Sequence, residues 1–398
     1  MSKHFTETHE AVRASLRKFI EKEIIPNVDE WEKNKVCERE VFRKMGEQGF
    51  FGVSFPEEVG GMGLDLWGAV TVTEELAHAN IGGLAMSLYA HTYLPLPMIT
   101  ALGTAEQKEK YVRPALEGKK VAALGITEPG AGSDVNGIRT TCVDMGDHYL
   151  VNGQKCFITN GTMADFVLLA VRTGPDDYNM STLIVDTDTP GFSAVRMDNK
   201  LGMHSSDTGH LFFDNVRVPK ENLVGHFGMG FFYLMNNIQE ERLIAAATAT
   251  FAAEAALEKA KRYTREREAF GRSINKFQVI RHKLATMATK VEAMRAMAFR
   301  AIEEFEEKGS GAVKIITMAK AFCCEEAQYV VNEALQVHGG WGYMEDYGIA
   351  RSWRDMRLLT LGAGTTEIMN EIISKIVIDE KKHERQFIQA RNVETVKS

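Results

Sequence analysis

The sequence is poor in the features that mark exported, metal-stapled or membrane-spanning chains. Its five cysteines, Cys37, Cys142, Cys156, Cys323 and Cys324, are odd in number, lack C-x-x-C spacing and include an adjacent pair unsuited to an ordinary disulfide. They read as reduced intracellular thiols, and no zinc or other metal site is expected of them. No apolar run approaches the roughly 18 to 20 residues that span a bilayer. The amino terminus, MSKHFTE, is polar and soon acidic, without the apolar core of a secretory signal or the Arg-rich character of a transit peptide. A cytoplasmic location is therefore expected, or the mitochondrial matrix if a transit peptide has been removed. Positive charge is also in deficit: 47 Lys and Arg against 54 Asp and Glu leave a net charge of -7, which gives no general attraction for nucleic acid or anionic lipid. Internal repeats, low-complexity segments, a P-loop and a nucleophile elbow are all missing. The nearest dinucleotide fingerprint, Gly130-Ala-Gly-Ser-Asp-Val135, lacks its third glycine.

What remains is ordinary globular material, 398 residues with 44% hydrophobic and 25% charged, enough for two or three domains. Residues 1–120 carry helical periodicity. Val12, Leu16, Phe19 and Ile20 share one face before Pro26, and Thr104 with Gln107 forms a capping-box pattern ahead of Tyr111 and Val112. Residues 121–228 change to short apolar runs, Phe166 to Val171, Thr182 to Val185 and Leu211 to Phe213. Within them Asn152-Gly153 reads as the turn of a hairpin, and a barrel-like β domain is expected. Residues 229–398 return to long helical patterns, as in Ile368, Ile372 and Ile376 beside Met369, Ile373 and Val377, and predict a helical bundle followed by a charged surface tail after Asp379. Strands confined to the middle do not alternate with helices. The fold class is therefore α+β, and a doubly wound parallel sheet is excluded.

Two segments carry chemistry. In Gly125-Ile-Thr-Glu-Pro-Gly-Ala-Gly-Ser-Asp-Val-Asn-Gly137 a strand-like run ends in a turn dense with Gly, Ser and Asp, where exposed backbone N–H groups, Thr127 and Ser133 can hydrogen-bond a planar ring or a phosphate. A structural loop between strands explains it equally well. In Gln336-Val-His-Gly-Gly-Trp-Gly-Tyr343 the paired glycines bare the backbone, though a helix C-cap would do the same. His338 there has no companion ligand at useful spacing and reads as structural.

Together the two segments resemble the signature regions of the acyl-CoA dehydrogenase family. The similarity extends through Pro56-Glu-Glu-Val-Gly-Gly-Met-Gly63, Lys155-Cys-Phe-Ile-Thr-Asn-Gly161, Lys200-Leu-Gly-Met203 and Gly364-Thr-Thr-Glu-Ile-Met369. The resemblance implies a helical domain, a β domain and a C-terminal four-helix bundle with FAD held where they meet. It places Thr127 near the flavin pyrimidine edge, Ser133 near the CoA pantetheine or a flavin phosphate, and Phe157 and Thr159 against the isoalloxazine. Phe157 stands where many relatives have Trp, which keeps an aromatic face. The resemblance also implies a cofactor shared across subunits, touched by Arg267, Phe270, Gln278, Gln336, Gly339 and Gly340, with Thr365 and Glu367 near its adenosine portion. A homotetramer built as a dimer of dimers, with an electron-transferring flavoprotein as acceptor, follows from the same likeness.

Many members of that family carry their catalytic base in a Tyr-Glu-Gly-Thr motif, but this chain reads Leu361-Gly-Ala-Gly-Thr365, with Ala363 in place of the Glu. Glu241 in Gln239-Glu-Glu-Arg-Leu243 matches the alternative position of the isovaleryl-CoA and long-chain branches, and Arg242 would lie near the CoA part of the pocket. The implied reaction is α,β-dehydrogenation of a long or branched acyl-CoA to the trans-2-enoyl-CoA, with Glu241 taking the pro-R α-proton. Chain length would be read by residues around Leu94 to Met98 and Phe231 to Met235, positions that a core role explains equally well. A flavin monooxygenase on the same scaffold is one rival reading, and Glu241 speaks against it; a flavin-binding or nucleic-acid-associated relative without turnover is another, which the acidic composition disfavours.

Overall fold

A computed structural model describes residues 4–379, so the charged tail lies outside the described residues. Eight helices come first: Glu7–Phe19 (α1), Val28–Asn34 (α2), Arg39–Glu47 (α3), Leu66–His78 (α4), Gly82–Thr92 (α5), Leu96–Leu102 (α6), Ala105–Gln107 (α7) and Arg113–Leu116 (α8). Eight strands follow: Ala122–Gly125 (β1), Thr141–Asp144 (β2), His148–Thr159 (β3), Phe166–Arg172 (β4), Met180–Asp186 (β5), Phe192–Arg196 (β6), Thr208–Pro219 (β7) and Leu223–Val224 (β8). The chain then returns to helix with Gly230–Glu266 (α9), and a small hairpin, Glu268–Ala269 (β9) and Arg272–Ser273 (β10), precedes Gln278–Lys308 (α10), Val313–His338 (α11), Ile349–Met356 (α12) and Thr366–Ile378 (α13). The α, β, α order read from the sequence is the order of the fold. The described chain divides into two compact units, one up to Val72 with Gly83–Ile238, the other Thr73–Gly82 with the chain from Gln239 onward.

In the first unit, α1 buries Val12 and Leu16, and Ile20 continues that face into a wider turn, Ile20–Ile24, that ends before Pro26. The capping box forms: Gln107 N donates to Thr104 Oγ1 at 3.2 Å and Thr104 N donates back to Gln107 Oε1 at 3.0 Å. Both orphan donors at that helix start are thereby satisfied. The sheet runs β6-β7-β3-β2-β4-β5-β8, with β1 parallel to β4 off that path. It is open, with β6 and β8 at its ends, so the barrel-like expectation does not extend to a closed ladder. Val167, Leu169, Val171, Leu183, Val185, Leu211 and Val216 form its core.

The Asn152-Gly153 hairpin is corrected by the structure. Both residues lie inside the continuous strand β3, and the turn that enters it is Met145 to His148, closed by Met145 N donating to His148 O at 2.9 Å with Gly146 at φ +93°. Asn152 faces a bulge in β7: Val151 pairs Val216 while Gly153 pairs Phe213. The extra residue is accommodated because Asn215 takes a left-handed φ of +52° and its N–H donates to Asn152 Oδ1 at 2.8 Å. Gly153 is required by crowding, since a Cβ there would stand 2.5 Å from Thr140 Oγ1. The Asn-Gly signal therefore reported a bulge and a close backbone approach.

Candidate active site

In the first unit the signature loop is built around a buried ion pair. Lys155, fully buried on β3, donates to Glu128 Oε1 at 2.8 Å and to Ile126 O at 2.9 Å. Glu128 also accepts from Thr140 N at 2.9 Å and Arg139 N at 2.7 Å. Burial brings the Lys155 ammonium down to about 8. Burial pushes Glu128 upward, but the Lys155 charge and the two backbone donors outweigh it and hold the carboxyl below its usual range. Cys156 N donates to Thr127 O at 2.8 Å, so the loop is laced to β3 beside Phe157. Thr127 and the strand residues Phe157 and Thr159 are thus brought together, while Ser133 is exposed farther along the loop.

Phe157 itself is displayed by a second bulge. Lys155 pairs Leu211 and Ile158 pairs Gly209, so Cys156 and Phe157 together oppose His210 alone. Phe157 takes φ +60° and is 65% exposed. A bulky residue in the left-handed region costs of order 1 to 2 kcal/mol, and packing within the chain gives no return for it. The nearby Gly130 and Gly132 need no left-handed φ, and a Cβ on either would meet nothing within 4 Å. Neither fold nor packing demands glycine there, which fits a surface approached by a flat or anionic ligand.

In the second unit, the β9–β10 hairpin carries Arg267 and Phe270, with Gln278 opening α10 just beyond it. Phe270 is 95% exposed at φ +51°. Gln336, Gly339 and Gly340 lie exposed at the end of α11. A Cβ on Gly340 would also meet open space. His338 beside them is buried, hydrogen-bonded to Ala334 O at 2.7 Å and stacked on Tyr263 with ring centroids 4.3 Å apart, a structural role as the sequence suggested. At the start of α13, Thr365 Oγ1 accepts from Ile368 N at 3.3 Å, and the exposed Glu367 sits in the first turn. One backbone donor of that helix terminus is therefore satisfied by the chain's own Thr365.

Glu241, near the start of α9, is half-buried and has no hydrogen bond among the described residues. Burial pushes its carboxyl up to about 7, with Arg242 and Lys320 pulling the other way. Glu240 is likewise raised to about 7 by burial. Arg242 is 4% exposed and donates through Nε to Ala363 O at 3.2 Å. It braces a turn. Lys320, fully buried on α11, donates to Gly364 O at 2.5 Å. Two cations therefore hold successive carbonyls of the turn in which Ala363 (φ +53°) and Gly364 (φ +93°) are both left-handed. Ala363 brings no acid to this place.

The family models for the acyl-CoA dehydrogenase N-terminal, middle and C-terminal domains match residues 6–119, 123–216 and 228–378. The chain belongs to the acyl-CoA dehydrogenase family. Members of that family are flavoprotein oxidoreductases. Among similar proteins, the mouse mitochondrial long-chain specific acyl-CoA dehydrogenase is 38% identical over 382 residues, 94% of this chain and 88% of its own. A 3-(aryl)acrylate reductase of Clostridium sporogenes is 38% identical over 373 residues, covering 93% and 98%. The crystal structure of a probable acyl-CoA dehydrogenase from Mycobacterium abscessus superposes with a TM-score of 0.91 at 43% identity, over 94% of this chain and all of that one. The acyl-CoA dehydrogenase fold is thus shown by sequence and by structure alike.

Sequence reasoning missed Glu128, Lys155 and Lys320. The two lysines had a signal, a charged residue among buried apolar ones: Lys155 between Val151 and Ile158, Lys320 between Ala319 and Ala321. A buried charge announces a partner, though not which one. A third grouping, Glu74, His78 and Glu254, brings ligand-type atoms within 4.8 Å of one another. Arg295 already holds Glu254 at 2.5 Å, which balances the charge a cation would need.

Proposed function

We propose that this acyl-CoA dehydrogenase family member is an FAD-dependent enzyme that interconverts a long or branched acyl-CoA and its trans-2-enoyl-CoA, with Glu241 as the base. The observation that carries the reading is Glu241 itself: a half-buried carboxyl without a hydrogen bond, raised to about 7, in a chain whose other base position is Ala363. A carboxyl near neutrality both accepts and returns a weakly acidic α-proton efficiently.

The donor set fits FAD. Phe157 offers an exposed aromatic face, Thr127 and Thr159 offer hydroxyls beside it, and Gly130 and Gly132 leave their backbone open. Arg267 supplies positive charge for a pyrophosphate, with Phe270, Gln278, Gln336, Gly339 and Gly340 as the surface for a cofactor shared between subunits. A homotetramer with such shared sites is the assembly we infer. When bound, FAD supplies the acceptor for the β-hydride. Glu241 takes the α-proton as that hydride leaves, so no metal is needed for either transfer. Lys155 and Glu128 keep Thr127 at its place against β3, and the exposed Ser133 is the residue inferred to take the CoA portion.

The long-chain relative supports a long acyl group. The start of α9 offers an aromatic wall in Phe231 and Phe232, with Tyr178 4.6 Å from Phe231, and Asn237 Nδ2 donates to Leu94 O at 2.8 Å, tying the two stretches expected to read chain length. An electron-transferring flavoprotein is the acceptor we infer. The reductase among the relatives raises the reverse direction as a second reading, and a base half-protonated at neutral pH serves either one.

Anaerobic addition of acyl-CoAs of increasing length and branching to the flavin-loaded protein tests the reading by bleaching of the oxidised flavin. Bleaching by none of them would sink it. Reoxidation of the reduced protein by enoyl-CoA, compared with transfer to an electron-transferring flavoprotein, separates the two directions.

A further inference from the structure

His91 is a polar ring in an apolar setting. It is fully buried on α5, edge-on to Phe42 and Phe51 with ring centroids 5.5 and 4.6 Å away. Its two ring nitrogens join two other elements. Ala122 N, at the first residue of β1, donates to Nδ1 at 3.0 Å, and Nε2 lies 3.1 Å from Ala115 O on α8. A nitrogen that accepts a backbone N–H carries no proton, and one that faces a carbonyl carries one, so the ring is neutral and in its Nε2–H form. A proton added at Nδ1 would set donor against donor and break the bond to β1. Burial brings the imidazole down from 6.5 to about 4, against the pull of the Ala115 carbonyl. Arg39 from α3, itself held by Asp165, adds to that lowering, while Phe42, Phe51, Ala115 and Ala122 bring no charge.

The same helix holds the other flavin-facing segment. One turn before His91, Ser87 O accepts from Asn160 Nδ2 at 2.8 Å, and Asn160, left-handed at φ +64°, directly follows Thr159 at the end of β3. Asn160 Nδ2 also reaches Ala122 O at 3.4 Å. Ala122 is therefore held through its N–H by His91 and through its carbonyl by Asn160. Among the described residues β1 has one ladder partner, β4, and its far end opens onto the loop that carries Thr127. We propose that His91 is a positioning residue for the flavin site: from α5 it sets β1, and with it the Thr127 loop, against the Phe157–Thr159 end of β3, and it does so only as the neutral imidazole, so that acid unlocks the site. The inference rests on the reading of these two segments as a flavin surface. The folded ring holds a proton less tightly than a released one, so its contribution is complete above about 6.5 and is lost as pH falls from there towards about 4.

The test compares flavin-loaded native protein with two variants. His91→Asn keeps an oxygen where Nδ1 accepts from Ala122 N, whereas His91→Gln reaches towards Ala115 and leaves Ala122 N without that acceptor. Flavin affinity is read from the fluorescence of released flavin, and the state of the ring from nitrogen NMR of histidine-labelled protein, with the His91 signals assigned by their loss in His91→Asn. Native protein should bind flavin at least about tenfold more weakly at about pH 5 than at about pH 7.5, and its His91 should be in the neutral Nε2–H form while flavin is bound. His91→Asn should hold flavin within about threefold of native at the higher pH and lose most of the pH dependence, while His91→Gln should bind about tenfold more weakly already there. Three results overturn the proposal: native pH dependence retained in His91→Asn, equal weakening by Asn and Gln, or a His91 that is charged or protonated on Nδ1 in the flavin-loaded protein. Where His91→Gln does not fold, the Asn comparison and the native ring signals decide. Native protein that binds no flavin at the higher pH overturns this inference and the flavin reading together, whereas flavin that binds but is bleached by no acyl-CoA overturns the dehydrogenation reading alone.

Discussion

Exchange of Glu241 for Gln keeps the shape of the side chain and removes its proton acceptor. The carboxyl has no hydrogen bond among the described residues, so no partner is stranded and the variant should fold and retain flavin. Loss of a general base costs about 10² to 10⁴ in rate, roughly 3 to 5 kcal/mol at ~1.36 kcal/mol per decade. With the native group at about 7, the carboxylate fraction falls to about one-tenth at pH 6, so the second-order reduction constant should drop nearly tenfold per unit on the acid side. In Glu241→Gln the constant should be at least about a hundredfold lower at pH 8 and flat across that limb. Stability supplies an independent check. The folded group is raised from 4.5 to about 7, so the native state holds its proton more tightly than the unfolded chain. Native stability should therefore fall as pH rises from about 4.5 to about 7 and stay level above, and Glu241→Gln should gain on native protein across that window and match it below. Stopped-flow bleaching and urea midpoints between pH 4 and 9, on the order of ten points each, measure the two. Near-native reduction by the variant, or a variant that keeps the limb, would refute the reasoning.

Lys155→Met should destabilise the first unit by about 3 to 5 kcal/mol in urea, because it strands the buried Glu128 carboxylate; adding Glu128→Gln should recover much of the loss. Gly153→Ala should cost about 2 kcal/mol or more, since φ is +147° and the new Cβ meets Thr140. Phe157→Ala should leave the urea midpoint of flavin-free protein almost unchanged, within about 0.5 kcal/mol, while weakening flavin retention on equilibrium dialysis. Gly340→Ala, whose Cβ meets no neighbouring atom in the chain, should likewise fold normally and lower flavin affinity.

Local order was legible because it is written in neighbours. The Thr104-Gln107 box, the Phe166 to Val171 run and the α13 repeat involve residues a few positions apart, and periodicity reports them directly. Asn152-Gly153 misled for the same reason: its partners, Asn215 and Thr140, are far away in sequence, and nothing local distinguishes a turn from a bulge. The candidate site was legible as a set of residues through the family likeness, and the geometry then changed what several of them do. Arg242 reaches across 121 positions to Ala363, and Lys320 across 44 to Gly364. Pairings of that kind are set by tertiary packing, so composition and spacing carry no trace of them beyond the oddity of a charge in an apolar run.

The bulge at Cys156 and Phe157 makes the alternation of β3 change parity partway along. Before it, Tyr149 and Val151 point into the core; after it, Ile158 does, and the one surplus residue is what throws an aromatic ring outward. A single deletion here would give a straighter strand, a regular ladder against β7 from Gly153 to Thr159 and relief from a left-handed phenylalanine. The repaired strand would also lose its outward ring, so selection for stability alone would remove the irregularity and the exposed aromatic face with it.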